Sequence, residues 1–224
     1  MIIIRWSSQI KKIFDKLYAG LGPQHWWPGE TPFEVMVGAI LTQNTNWGNV
    51  EKAIVNLKKN GLLKPDRLFK LSHSRLARLI RPAGYYNVKA RRLKNFLRFL
   101  IGAYGGDIRK MAGRDTDVLR RELLAVNGIG RETADSILLY ALNKPVFVVD
   151  AYTKRILARH KISVADADYD IVQQIFMRSL KKNVKLFNEY HALIVRAGKE
   201  FCHKTKPRCD ICPLQSSQNS KVRS

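Results

Sequence analysis

The sequence predicts an all-α protein, on three observations. Apolar residues recur at helical spacing almost throughout the 224 residues, alternating strand patterns are short and scarce, and recognisable cap and turn residues punctuate the periodic stretches. Thr31-Pro32-Phe33-Glu34 opens the first clear helix: Thr31 can cap, Pro32 suits the first helical position, and Glu34 is expected to complete a capping box. Phe33, Met36, Val37, Ile40 and Leu41 form its buried face. A second helix carries Val50, Ala53, Ile54 and Leu57 and ends near Gly61, where a helix C-terminal glycine belongs. Further helices are expected at about 75–80, 88–104 and 118–126.

Gly105-Gly106 marks a turn and Asn127-Gly128-Ile129-Gly130 a tighter one, because glycine takes positive φ without steric cost. Helix resumes at Arg131 and runs to about Leu142. Pro145-Val146-Phe147-Val148-Val149 reads as an extended buried connector that delivers Asp150 to the N-terminus of a helix over 151–159. Helices near 169–180 and 187–199 precede a segment with three cysteines, and 215–224 is a polar tail expected to fray.

Composition narrows the partner. Lys and Arg number 40 against 18 Asp and Glu, a net charge of +22 spread along the chain, and so large an imbalance repels itself unless a polyanion offsets it. Nucleic acid comes before membrane, since no apolar run approaches the roughly 20 residues that span a bilayer. The short apolar opening Met1-Ile2-Ile3-Ile4 falls well below a signal-peptide core, so a cytoplasmic location is expected. Three cysteines cannot all pair with one another, and metal ligation or free thiols suit a reducing compartment.

Two helices joined by Gly128-Ile129-Gly130 are either an ordinary helical hairpin or a phosphate grip, in which glycine admits the backbone to a phosphate and the next helix supplies N–H groups. Asp150 alone is most simply a helix cap. Together, Leu124 to Ala134 followed by Val148-Val149-Asp150 resemble the hairpin, loop and aspartate signature of the endonuclease III superfamily of helix-hairpin-helix DNA glycosylases. Leu41-Thr42-Gln43-Asn44-Thr45 resembles that family's glutamine-bearing turn, and Gly84-Tyr85-Tyr86-Asn87-Val88-Lys89-Ala90 its second DNA-facing loop. The resemblance covers about 33–212.

It implies two helical lobes with an active cleft between them: a six-helix lobe over about 23–144, and a second lobe from 1–22 plus 145–214 that carries Asp150 and a C-terminal cysteine loop. It implies a DNA N-glycosylase of base-excision repair, acting as a monomer on damaged double-stranded DNA and associated with the nucleoid. Asp150 would stabilise the cationic sugar and orient or deprotonate water. Gly128, Gly130 and Arg131 would hold the backbone. Gln43 and Tyr85 would fill the gap left by the extruded nucleotide, or are ordinary turn residues, and the basic run Lys89-Ala90-Arg91-Arg92 would meet phosphates.

Two departures refine the expectation. Members that also cleave the strand carry a lysine directly after the hairpin arginine; here that position is Glu132, and a carboxylate cannot form an imine. Lys144, Lys154 and Lys199 are the alternative amines. Trp26 and Trp27 precede the first clear helix and Trp47 follows Gln43, a combination that resembles the 3-methyladenine DNA glycosylase III branch, in which aromatic side chains sandwich the flipped base. Cationic alkylated purines gain cation-π attraction there, whereas tryptophans that simply fill the core are the plain alternative.

Cys202-x6-Cys209-x2-Cys212 matches the first three ligands of the family's iron-sulfur loop, but the fourth position is Gln218. The options are a 4Fe-4S cluster with another fourth ligand, a three-iron form, adventitious metal, or a loop held by packing alone. The competing functions are a lyase acting on oxidised pyrimidines and a non-catalytic DNA-binding protein.

Overall fold

The computed structural model describes residues 2–26, 29–162 and 166–215. Expectations for Trp27, Gln218 and the tail beyond 215 lie outside them. Among the described residues there are twelve α-helices and no strand. The chain forms two compact units, one from Met1–Trp26 with Pro145–Ser224 and the other from Trp27–Lys144.

In the continuous unit, α2 (Pro32–Leu41) is the core helix, buried on almost every face, with Thr31 accepting from the Glu34 N–H at its start. The capping box expected of Glu34 does not form. Its carboxylate instead accepts from the Glu30 N–H and pairs with Lys58 of α3 (Trp47–Lys59), a charged partner that a helix-start motif does not reveal. Gly61 follows that helix at φ 63°, as expected. Next come α4 (Pro65–Lys70), α5 (His73–Leu79), a 3-10 turn at Arg81–Ala83 and α6 (Tyr86–Tyr104), then α7 (Ile108–Ala112) and α8 (Thr116–Ala125).

The helix expected from Arg131 to Leu142 is α9 (Arg131–Ser136) followed by a π-helical turn over Ile137–Ala141, all five residues of which are buried. The Leu142 N–H reaches back five residues to the Ile137 carbonyl, which fits an extra residue into the turn. A two-pronged ion pair clamps the hairpin: Arg120 Nε and Nη2 of α8 donate to Asp135 of α9 at 2.7 and 3.0 Å, and Asp135 is fully buried.

In the other unit, α1 (Ile2–Leu21) packs on α11 (Tyr169–Ser179) and α12 (Val184–Glu200), and α10 (Ala151–Arg159) packs on α12. Tyr190 is buried and donates to the Ile10 carbonyl at 2.7 Å. The connector 145–149 runs extended, as expected, with Phe147 fully buried and stacked on Phe176 at 4.0 Å. Its backbone finds partners on side chains of α11: Gln173 Nε2 donates to the Phe147 carbonyl at 2.7 Å, the Val149 N–H donates to Tyr169 Oη at 3.3 Å, and the Phe147 N–H meets Met177 Sδ.

The clamp yields a stability prediction. Asp135→Ala removes the fully buried carboxylate that takes both prongs of Arg120 and should cost roughly 3 kcal/mol in urea unfolding. A loss below about 1 kcal/mol would show that Arg120 rehydrates without its partner.

Candidate functional site

The turn between α8 and α9 is fixed by its own carbonyls and by one glycine. Asn95 Nδ2 donates to the Asn127 carbonyl at 3.0 Å, and Gln43 Nε2 donates to both the Gly128 carbonyl at 3.0 Å and Thr133 Oγ1 at 2.9 Å. Arg92 Nη1 in turn donates to Gln43 Oε1. Gly128 sits at φ 95°, and a Cβ there would lie 2.3 Å from Arg92 Cγ, so both conformation and space demand glycine. Gly130 caps α9 without a side-chain bond, and Gly130, Arg131 and Glu132 are exposed.

Gln43, expected at a DNA-facing turn, thus also ties its helix end to the hairpin. Tyr85 is 72% exposed and left-handed at φ 45°, at the start of α6. Beneath it, Lys89 departs from the expected phosphate-contacting run. Its side chain is 1% exposed and donates to the Ala83 carbonyl at 2.7 Å, closing the 3-10 turn, while burial and the nearby Arg92 charge lower its pKa to about 8. Arg91 is exposed, so the run contributes surface charge through its arginines. Trp47 packs its ring over Gly38, where a Cβ would meet the indole at 3.3 Å.

In the other unit, Asp150 caps α10. Its Oδ1 accepts from the Thr153 N–H at 2.7 Å and from Thr153 Oγ1 at 2.8 Å, in a reciprocal capping box. Its Oδ2 lies 3.5 Å from His191 Nε2 on α12, within ion-pair range. Burial pushes the Asp150 carboxyl up, but the His191 contact and charge and the two Thr153 bonds outweigh it and hold the pKa below the ordinary carboxylate value. Asp150 is therefore ionised at neutral pH. Its contribution to stability is present above the unfolded carboxylate pKa and fades as pH falls through the lowered folded value.

Trp26 lies 6.4 Å from the His191 ring and lines a cavity of ≈ 210 Å³ with Arg196, Lys199 and Glu200. Lys144 Nζ donates to the Arg114 carbonyl and Lys154 Nζ to the Ala167 carbonyl, each at 2.8 Å.

All three cysteines line another cavity, of ≈ 130 Å³, together with Arg159 and His160. Arg159 Nη1 donates to Cys202 Sγ at 3.1 Å, and Cys202 is buried. Burial raises the Cys212 pKa; a bond from the Leu214 N–H opposes this, and the neighbouring Cys202 and Cys209 charges add to it. Burial, then the Lys16 charge, lowers that of His160. Among the described residues no group of three or more His, Cys, Asp or Glu side chains is placed to hold a single metal ion. Three thiols on one cavity wall are a soft donor set of the kind that both iron-sulfur clusters and zinc take.

The chain belongs to the HhH-GPD superfamily of base excision DNA repair proteins, whose pattern matches residues 37–182. It is a DNA-binding enzyme of the DNA glycosylase class, which hydrolyses N-glycosyl bonds. It is 51% identical over 216 residues, 96% of this chain and 97% of the relative, to a Methanocaldococcus jannaschii protein provisionally assigned as a DNA repair glycosylase. Among solved structures, an H. pylori 3-methyladenine DNA glycosylase bound to 1,N6-ethenoadenine aligns with a TM-score of 0.72 and 29% identity, over 88% of this chain and 97% of that one. A non-covalent endonuclease III–DNA complex shares the fold, with a TM-score of 0.80 and 24% identity over 93% and 92% of the two chains. No helix among the described residues is long and apolar enough to cross a membrane.

Sequence reasoning missed Asn95 beside the hairpin and His191 beside Asp150, read Arg92 only as a phosphate contact, and gave Thr133 no role of its own. Thr153 was within reach, since Asp-x-x-Thr is itself a capping signature. Gly128→Ala tests the turn: strain at φ 95° and the clash with Arg92 should weaken binding to undamaged duplex DNA by about tenfold or more, read by fluorescence anisotropy at fixed salt. Unchanged affinity would remove the hairpin from the DNA contact.

Proposed function

We propose that the enzyme is a monofunctional glycosylase that releases a cationic alkylated purine from duplex DNA and leaves an abasic site, working as a monomer. The observation that carries this reading is a carboxylate without an amine partner. Asp150 is held ionised, while the residue after the hairpin arginine is Glu132 and the amines of Lys144 and Lys154 are engaged by carbonyls. An imine route needs an amine at the sugar. A carboxylate with a depressed pKa is a weak base but a strong counter-charge. Its Oδ1 is committed to the helix cap, and Oδ2, which lies 3.5 Å from His191 Nε2, is the oxygen that would face the positive charge building on the sugar as the glycosidic bond breaks.

This division of labour suits a substrate that leaves easily. An alkylated purine already carries positive charge and departs without a proton donor, so stabilising the sugar cation suffices. On this reading each of Trp26, Trp27 and Trp47 is a candidate to stack on the base, and indole stacking favours a cationic one. The 29% identity with the H. pylori 3-methyladenine DNA glycosylase supports the same substrate class. On this reading Tyr85, exposed and preset by its left-handed backbone, fills the gap left by the extruded nucleotide, and Gly128, Gly130 and Arg131 grip the phosphates. Cys202, Cys209 and Cys212 hold an iron-sulfur cluster, whose chemistry here is to cross-link the loop.

The test is a panel of duplexes bearing 3-methyladenine or thymine glycol, with base release scored apart from strand scission under single turnover. Release of the methylated base without scission and without borohydride trapping is expected. Asp150→Asn should abolish release and spare DNA binding, and Trp47→Ala should slow methylpurine release about tenfold or more. Efficient trapping, abolished by Lys199→Ala, would establish a lyase instead. Activity confined to thymine glycol would reject the alkylpurine reading.

His191 makes a separate prediction about pH. Replacing it by Phe removes the charge that holds the Asp150 pKa down, so the carboxylate protonates at higher pH and the acid limb of the release profile should move upward. An unmoved acid limb would show that His191 has no hold on the carboxylate.

A further inference from the structure

We propose that His160 is the fourth protein ligand of a four-iron cluster otherwise held by Cys202, Cys209 and Cys212. The proposal rests on the reading of the cysteine loop as a cluster site and adds the donor that the loop itself lacks. Cys202, Cys209, Cys212 and His160 line one cavity of ≈ 130 Å³. Among the described residues no three of these donors converge on a single-ion position, which disfavours a mononuclear zinc site despite a donor set that zinc would otherwise accept. A cube of four irons instead needs four donors set apart around a central volume.

Of the other polar groups on the cavity wall, Arg159 cannot ligate and is spent on Cys202 Sγ and on the Lys204 carbonyl, both at 3.1 Å. Gln215 offers only an amide oxygen, a poor match for iron among sulfurs. Imidazole is a proven replacement for thiolate on cluster iron. The donors also sit on fixed backbone. His160 closes the last turn of α10 through bonds from its N–H to Ile156 and Ala158 carbonyls. The Cys202 N–H donates to the Ala197 carbonyl at 2.8 Å, and Arg155 Nε donates to the Cys202 carbonyl at 2.7 Å. The residue six places after Cys212 is no cysteine but Gln218, so a fourth strong protein ligand would come from another part of the chain. The end of α10 provides one.

Because a neutral imidazole replaces an anionic thiolate, the cluster should have a higher reduction potential than an all-cysteine one. The experiment is anaerobic purification of the full chain, iron and sulfide analysis, redox titration, and pulsed electron paramagnetic resonance on reduced protein with and without 15N-histidine. Wild type should carry four irons per chain and show a histidine nitrogen coupling. His160→Cys should keep four irons, lose the coupling and shift to lower potential. His160→Ala should give a three-iron signal or lose iron. His203→Ala, beside Cys202 but not on the cavity wall, should match wild type. A four-iron wild type without nitrogen coupling, or a His160→Ala protein with wild-type iron and potential, overturns the assignment of His160 and leaves the cluster standing. Folded wild type that is colourless, or that carries one zinc per chain, overturns the cluster reading and this proposal with it.

Discussion

Backbone that belongs to neither helix nor sheet can cross an apolar core only if other groups take up its N–H and C=O bonds, and residues 145–149 impose that condition on the unit that carries Asp150. The solution is supplied by one helix. Gln173, Tyr169 and Met177 of α11 meet the connector, and the stacked Phe147 and Phe176 rings fix it laterally. Asp150 inherits its position from these contacts and its charge state from Thr153 and His191. Two separate sets of residues, neither of which reacts, therefore decide where the carboxylate is and whether it is ionised.

The hairpin solves a similar difficulty by the opposite means. Its turn carbonyls are drawn toward the side chains of Asn95 and Gln43, and glycine at 128 lets Arg92 press against the bend. What remains exposed at the start of the next helix is Gly130 with Arg131 and Glu132. Gln43 is part of this clamp, so any movement of its amide into DNA comes at the expense of three hydrogen bonds within the protein.

Features written over a few adjacent residues were legible in the sequence. Thr31 and Pro32, Gly61, the glycine turn at 128–130 and the cap at Asp150 are each specified by local rules, and the structure follows them. Helices α4 and α7 were missed because five or six residues hold too little of the period to register. The π turn was hidden inside an apolar run buried on all sides, where one extra residue leaves no mark on the pattern. Lys89 misled in a different way: within a basic run it reads as solvated, and only the fold shows its ammonium closing a turn inside the core. His191 and His160 take their importance from partners far along the chain, and the sequence around them carries no signal of it.

Tyr85 is a residue that the free protein has reason to discard. A non-glycine side chain in the left-handed region costs on the order of 1 kcal/mol, and this one also leaves an aromatic ring in water. Glycine at that position would relieve the backbone at once, so a screen for thermostable variants would tend to collect Tyr85→Gly among its first hits. Such a variant would look improved by every criterion applied to the isolated protein. Selection on heat tolerance alone would then remove the side chain proposed to fill the gap left by the extruded nucleotide.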